Sequence, residues 1–302
     1  MADVLVVGSY NAGFTVYTEH LPRPGETVGD GRFEWGPGGK GANQAVGVRR
    51  LGIEACFVTK LGNDVFGEDG RRVLRAEGLP EWGLLAGHAA TGVAFILVQD
   101  NGENSIVVAP GANAELDIAD VVALEAHIGR SSLVLLQLEC RAELAIDVAR
   151  WAQASGRRCI LNPAPARPLP ADALANLDVL TPNETELASL ASWLGLAPAP
   201  PDVHAMALVE LGVRDVVVTL GDQGVLWATK GHVERFPAYP VTVVDTTGAG
   251  DAFTAGLVTG LARGESMAVA IDLGCRAGAY CVTKAGVIDG LGRLDDLAAI
   301  KP

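Results

Sequence analysis

The chain of 302 residues is short of positive charge: 23 lysines and arginines face 36 aspartates and glutamates, leaving a net charge of −13 and a pI near 4.8. Nucleic acids and anionic membrane surfaces are held by clustered Lys and Arg, so the deficit argues against either as a partner and for a soluble protein. No apolar stretch approaches the roughly twenty residues of a membrane span, and the opening MADVLVVGSY lacks the basic region, apolar run and cleavage site of a leader. A cytoplasmic location is the expectation. Cys56, Cys140, Cys159, Cys275 and Cys281 form an odd set without metal-ligand spacing, set mostly in apolar runs such as RRCILNP and GAYCVT, and read as buried reduced thiols. The five histidines, His20, His88, His127, His204 and His232, are scattered and contain no HExxH or other close pair that would hold a transition metal. Structural or surface roles are left for them. Repeats and low-complexity tracts are also missing; Ala197-Pro-Ala-Pro-Pro-Asp202, the nearest thing to a linker, reads as a surface loop between helices.

What remains is rich in apolar residues, 49%, ample for a large buried core, and the length would allow two domains. Apolar strands alternate with helical stretches, which predicts a largely parallel sheet with helices on both faces. The strand candidates include Val4 to Val7, Ala55 to Thr59, Leu133 to Leu138, Cys159 to Asn162, Val179 to Thr181 and Val216 to Thr219. Most are continuous apolar runs, as strands buried on both faces should be. Helices are expected over Glu68 to Glu77, closed by Gly78, and over Ala142 to Ala154, closed by Gly156. Two segments break the alternation. Phe14 to Trp35 has no helical period, and Thr91 to Val98 with Ser105 to Ala109 reads as an antiparallel pair turning over Asp100-Asn101-Gly102. Both flank glycine-rich segments and could form one small sheet over a site.

The block Asp245-Thr-Thr-Gly-Ala-Gly-Asp251 runs straight into AFTAGLVTGLA. Small residues ahead of a helix leave backbone N–H groups uncovered where the helix dipole favours negative charge, and a carboxylate stands on the first turn. A phosphoryl-transfer site needs both features: donors for the charge on the transferred phosphate oxygens, and a base for the attacking hydroxyl. Read so, Asp251 is the general base and the N–H groups of Gly248, Ala249 and Gly250 form the anion hole. The plainer reading is an N-capped helix preceded by a glycine turn. A second cluster, Gly36-Pro-Gly-Gly-Lys-Gly-Ala-Asn-Gln44, opens a helix that carries Ala45, Val46 and Val48 to Leu51 and stops at Gly52. Lys40 is followed by Gly41 rather than Ser or Thr, so this is no Walker A loop. Lys40 and Asn43 supply groups suited to hydroxyls, and the alternative is a flexible turn with a solvated lysine. Asn183 and Glu186, three apart at the start of a helix after LDVLTP, fit Mg²⁺ organisers acting through water; Glu186 could equally be an ordinary first-turn acid.

Together these segments resemble the paired signatures of the PfkB-type carbohydrate kinases, closest to the ribokinase branch. The resemblance spans nearly the whole chain: Gly8-Ser9-Tyr10-Asn11, Pro22-Arg-Pro-Gly-Glu-Thr27, GGKGANQA, Gln137-Leu-Glu139, Leu161-Asn-Pro-Ala-Pro-Ala-Arg167, Thr181-Pro-Asn-Glu-Thr-Glu186, Thr219-Leu-Gly-Asp-Gln-Gly-Val225 and the Asp245 to Asp251 block. It implies a ribokinase-like α/β fold: a doubly wound, mostly parallel core from residues 1–12, 36–89 and 110–302, with a β-sheet lid from 13–35 and 90–109 that also serves as a homodimer clasp. The implied reaction moves the γ-phosphate of ATP to the primary 5-hydroxyl of D-ribose or a related pentose. A lid suits that chemistry, because water must be kept from the γ-phosphate. By resemblance Asn11, Gly39, Lys40, Asn43 and Glu139 bind the sugar with Asp251. Thr219, Gly221 and Gly224, with Asn183, line the nucleotide pocket beyond a strand end. Asp245 and Thr247, with the segment from Cys281 to Gly290 including Gly286, match the region that holds a monovalent cation, K⁺.

The chain departs from the ribokinase pattern at the end of the cation segment, Val287-Ile-Asp-Gly290, and more seriously after the first strand. That pattern reads Asn-x-Asp after the first strand, and here Asn11-Ala12 is followed by Gly13. A carboxylate acceptor for neighbouring sugar hydroxyls is missing, and hydrogen bonds to charged groups contribute about 1.5 to 3 kcal/mol. A deoxy sugar, another sugar or a nucleoside therefore stands as an alternative substrate. A sugar-binding homologue without catalysis is opposed by the intact Asp251 and its Gly-Ala-Gly, and a dinucleotide oxidoreductase by the lack of GxGxxG after VLVVGS.

Overall fold

A computed structural model describes residues 3–100, 103–129 and 131–301 of the chain. Its centre is a nine-stranded sheet built from β1 (Val4–Val7), β4 (Ala55–Leu61), β5 (Leu84–Ala86), β8 (Leu133–Leu136), β9 (Arg158–Leu161), β10 (Val179–Leu180), β11 (Asp215–Thr219), β12 (Val225–Thr229) and β13 (His232–Phe236). In space the strands run β13-β12-β11-β10-β9-β8-β1-β4-β5. Every pairing from β11 to β5 is parallel, and β12 and β13 extend the sheet by antiparallel pairing. The apolar runs are continuous because both faces are covered. Val4 and Val6 enter one core with Leu133 and Leu135, while Leu5 and Val7 enter the other with Val134 and Leu136. Helices Lys40–Arg50, Ala249–Ala262 and Met267–Cys281 cover the first core; Ala142–Ala154, Glu184–Trp193 and Pro201–Glu210 cover the second.

The expected doubly wound architecture is thus present, with small shifts at its ends. Helix Ala142–Ala154 has the expected bounds, whereas the helix placed at Glu68 to Glu77 begins earlier, over Val65–Ala76, because Asp64 caps it by accepting from the Gly67 N–H at 2.8 Å. The Ala197 to Asp202 stretch yields its last residues to helix Pro201–Glu210, with Pro201 at the first helical position. All five cysteines are free, four of them buried, and burial pushes the thiols up, to about 11 for Cys56 and about 12 for Cys140, Cys275 and Cys281. They are not nucleophiles at neutral pH. Among the described residues no helix is long and apolar enough to cross a membrane.

A second sheet of four strands, ordered β3-β2-β6-β7, joins β2 (Asn11–Thr18), β3 (Arg32–Gly38), β6 (Val93–Gln99) and β7 (Asn104–Ala109). The two segments that broke the alternation fold together here, β2 pairing antiparallel with β3 and parallel with β6, and β6 antiparallel with β7. Of the turn expected between β6 and β7, Asn101 and Gly102 lie outside the described residues. The small sheet's β2–β3 pair begins at Asn11 and ends at Gly38, so that pair grows directly out of the sequence that flanks the glycine cluster.

Candidate active site

The chain leaves β1 for β4 on one side and later returns to place β8 on the other, so the order of the parallel strands reverses at β1. Crevices beyond the carboxyl ends of strands at such a point are where open α/β sheets bind ligands. Ser9 and Asn11 follow β1, Gln137 and Glu139 follow β8, Asn162 follows β9, Asn183 follows β10, and Thr219 ends β11. Side chains more than a hundred residues apart in sequence meet there.

Glu139 gathers the sugar-side residues. Its Oε2 accepts from Ser9 Oγ at 2.5 Å, the Lys40 backbone N–H at 2.9 Å and Asn11 Nδ2 at 3.2 Å. Asn11 is itself oriented, because Asn113, almost fully buried, donates to Asn11 Oδ1 at 2.9 Å and grips the Tyr10 backbone through both N–H and carbonyl. Gly39 lets the next helix start so near this point. Its φ is +92°, and a Cβ there would sit 2.7 Å from the Asn11 nitrogen, so any side chain would push the helix away. Lys40 is half-buried on that first turn. Burial disfavours its charge, but Asp251, Glu139 and Glu186 around it outweigh the loss and hold the ammonium above the usual lysine range.

Asp251 stands on the first turn of helix Ala249–Ala262, 6% exposed. Asn43 Nδ2 donates to its Oδ2 at 2.8 Å, and Gln44 Nε2 to its Oδ1 at 2.8 Å. The Asn43 Oδ1 finds no partner among the described residues although it is buried. Buried acceptors without partners cost free energy, so this oxygen is free to take a ligand hydroxyl. Gly248 caps the helix at φ +82°, and a side chain there would collide with Val287 at 2.7 Å. Of the three expected anion-hole donors, Gly248 and Gly250 find no partner for their N–H groups among the described residues, while that of Ala249 reaches the Thr246 carbonyl at 3.2 Å.

The nucleotide-side residues lie across the ends of β10 and β11, where Asn183 and Thr219 form an isolated parallel bridge. Gly221 and Gly224 follow in a tight turn, with Gly224 at φ +87° and no room for a Cβ against Phe236 and Ala238. Asn183 and Glu186 close a reciprocal capping box, Asn183 Oδ1 accepting from the Glu186 N–H at 2.8 Å and Glu186 Oε2 from the Asn183 N–H at 2.9 Å. One oxygen of Glu186 thus caps the helix, as an ordinary first-turn acid would, and no hydrogen bond to its Oε1 is found among the described residues. Burial raises the Glu186 carboxyl above its ordinary range, opposed in part by the Asn183 N–H and by Lys40. Among the described residues no cluster of three or more His, Cys, Asp and Glu side chains forms a metal cage. That donor set suits Mg²⁺ arriving with substrate phosphates, which needs only one or two carboxylates.

Asp245 bridges two loops. Its Oδ1 accepts from the Thr247 N–H at 2.8 Å and its Oδ2 from the Gly286 N–H at 3.2 Å, and although burial opposes the charge, these bonds hold the carboxyl below its usual range. Each oxygen retains a lone pair for a cation. Ser9, Gln44, Asn113 and Asn162 belong to the site and carried no individual role in the sequence reading; the only available signal was that polar amides and a hydroxyl sit inside otherwise small or apolar motifs.

Comparison with known proteins bears on what this site does. Residues 1–292 match the family model described as pfkB family carbohydrate kinase. A ribokinase of Haemophilus influenzae is 37% identical over 283 residues, 93% of this chain and 92% of its own length. A deoxyribokinase of Salmonella typhi is 35% identical over 264 residues, 83% of each chain. The structure of Arabidopsis thaliana ribokinase complexed with ribose and ATP superposes with a TM-score of 0.88 at 30% identity, covering 98% of this chain and 97% of that one.

Proposed function

This chain belongs to the pfkB family of carbohydrate kinases, and from that premise we propose that it transfers the γ-phosphate of ATP to the primary 5-hydroxyl of D-ribose or a related pentose, with Asp251 as general base. It is an ATP-dependent sugar kinase. The observation that carries the mechanism is the buried Asp251 carboxylate, fixed at both oxygens beside the uncovered N–H groups of Gly248 and Gly250. As the sugar oxygen bonds to the γ-phosphorus, its proton passes to Asp251, the bond from the γ-phosphorus to the bridging oxygen breaks, and ADP leaves. The N–H groups receive the charge spreading over the phosphate oxygens. Asn11, Gly39, Lys40, Asn43 and Glu139 bind the sugar; Asn183, Thr219, Gly221 and Gly224 bind the nucleotide. Glu186 and Asn183 would hold Mg²⁺, which would supply charge neutralisation at the triphosphate, and Asp245, Thr247 and Gly286 would hold K⁺.

The small sheet, residues 13–35 with 90–109, closes over the sugar. Its register sets Trp35, Phe14, Phe95 and Val107 in one cross-strand row, and Trp35, Phe95 and Val107 are 51%, 54% and 69% exposed. A row of that size covered by a second copy supports the homodimer. The acidic charge disfavours nucleic acid and anionic membrane surfaces as partners, and we place the enzyme in the cytoplasm.

A specific observation favours a second substrate reading. Gly13 lies two residues beyond Asn11 and so on the same face of β2, and it pairs across the ladder with Gly36. Two side-chain-free positions thus adjoin at the sugar end of the lid, which leaves 2-deoxyribose as well accommodated as ribose, in keeping with the deoxyribokinase relative. The direct test incubates the protein with ATP, Mg²⁺ and a panel of pentoses, hexoses, deoxy sugars and nucleosides, following ADP release and the phosphorylated position by ³¹P NMR. Phosphorylation of a pentose at O5 is expected; turnover confined to nucleosides or hexoses would contradict it.

A further inference from the structure

Behind Asp251 lies a chain of amides whose direction is forced at each link. An ionised carboxylate can only accept, so Gln44 must turn its Nε2 toward Asp251 Oδ1, 2.8 Å away. The second proton on that nitrogen goes to Asn162 Oδ1 at 3.0 Å, and Asn162 Nδ2 in turn donates to the Thr181 carbonyl at 2.8 Å, just past β10. Gln44 Oε1 then faces Gln137 Nε2, which donates at 2.7 Å. Gln44 is fully buried, and Gln137 and Asn162 are nearly so. No flipped amide satisfies the same partners.

We propose that Gln44 is a positioning residue for the general base: it fixes the plane of the Asp251 carboxylate and leaves the oxygens' remaining lone pairs, those not facing Asn43 and Gln44, to receive the sugar proton. Gln137 and Asn162 hold Gln44 in turn. The arrangement carries a cost, since Gln137 Oε1 is buried and finds no partner among the described residues. Asn43 serves Asp251 from a residue that also offers the sugar a free acceptor, whereas Gln44 touches only the base and its supports.

The inference rests on Asp251 being the base, and the test separates the two. In steady-state kinetics on the full chain, Gln44→Met should lower kcat about 10- to 100-fold through misplacement of the base, with KM for ribose and ATP within a few fold. In an Asp251→Asn background the same change should have no further effect on kcat, because the group it positions is gone. An equal fractional loss in both backgrounds, or a rise in KM at unchanged kcat, would overturn the proposal. Wild-type turnover by Asp251→Asn alone would instead remove the base. Should Gln44→Met fail to fold, Gln44→Glu decides. The introduced carboxyl can donate to Asp251 only while the pair retains a shared proton, so kcat should fall as pH rises where that of the wild type does not. A pH profile unchanged from wild type would count against Gln44 touching the base.

Discussion

The two walls of the site are built differently. On the core side the three carboxylates of the site are tied: Asp251 through Asn43 and Gln44, Glu139 through Ser9, Asn11 and the Lys40 N–H, Asp245 through Thr247 and Gly286. On the lid side the next row on the face of Asn11 is Gly36, Gly13 and Ala94, without a polar side chain, and the opposite face carries the apolar row of Trp35, Phe14, Phe95 and Val107, where Phe14 and Trp35 meet Phe66. The core wall has one geometry and holds the reacting groups in it. The lid wall offers space and closure. The contrast assigns the chemistry of phosphoryl transfer to the core and leaves sugar selectivity to be decided by what the lid lacks.

The comparison breaks most sharply at Asp251. Asp251→Asn keeps the shape and removes the base, and should lower kcat by about 10² to 10⁴ while KM for ATP and sugar stays within a few fold. Turnover near the wild-type level would move the chemistry elsewhere. A smaller effect is expected where the core wall meets its cation. The proposed ion beside Asp245 would shape the loop that carries Gly248 and Gly250, so activity should rise when K⁺ replaces a large organic cation at fixed ionic strength, and Asp245→Ala should abolish the response. Equal rates in the two salts would remove the cation from the account. The smallest effect is on pH dependence. The raised Glu186 carboxyl takes up its proton at a pH above the ordinary glutamate value of 4.5, so the acid loss of kcat/KM for Mg·ATP should begin above that value. Glu186→Gln should flatten that limb, and an unchanged limb would assign it to another group.

How far the sequence anticipated these walls differs between them. The parallel strands were readable because burial on both faces makes them continuous apolar runs, and Val4–Val7 matches to the residue. The edge strand His232–Phe236 was not singled out, since an exposed edge such as His-Val-Glu-Arg-Phe has no such run, and neither was its inner neighbour Val225–Thr229. β2 and β3 showed themselves only as an absence of helical period, and their pairing depends on contacts with β6 that no local pattern encodes. The charged and glycine-rich members of the site stood out as motifs. Gln44, Gln137 and Asn162 stood inside motifs without a role of their own, and Asn113 in none, because an amide acquires its role from the partner it meets across the sheet, and that partner is far away in sequence.

Gly13 is where the contrast between the walls can be measured. Its φ is not positive, and a Cβ there would meet only the Gly36 carbonyl at 3.4 Å, so an aspartate can be introduced without backbone strain. With no carboxylate at this position the wild type has no acceptor to leave unpaired when a hydroxyl is missing, and rejection of a deoxy sugar comes from such an acceptor. The decisive measurement is kcat/KM for ribose and for 2-deoxyribose, on the wild type and on Gly13→Asp. The account predicts wild-type values within about tenfold of each other and a shift toward ribose in the variant. A wild type that already prefers ribose by about 10³ or more would show that another residue supplies the acceptor, and that selectivity is not left to the lid.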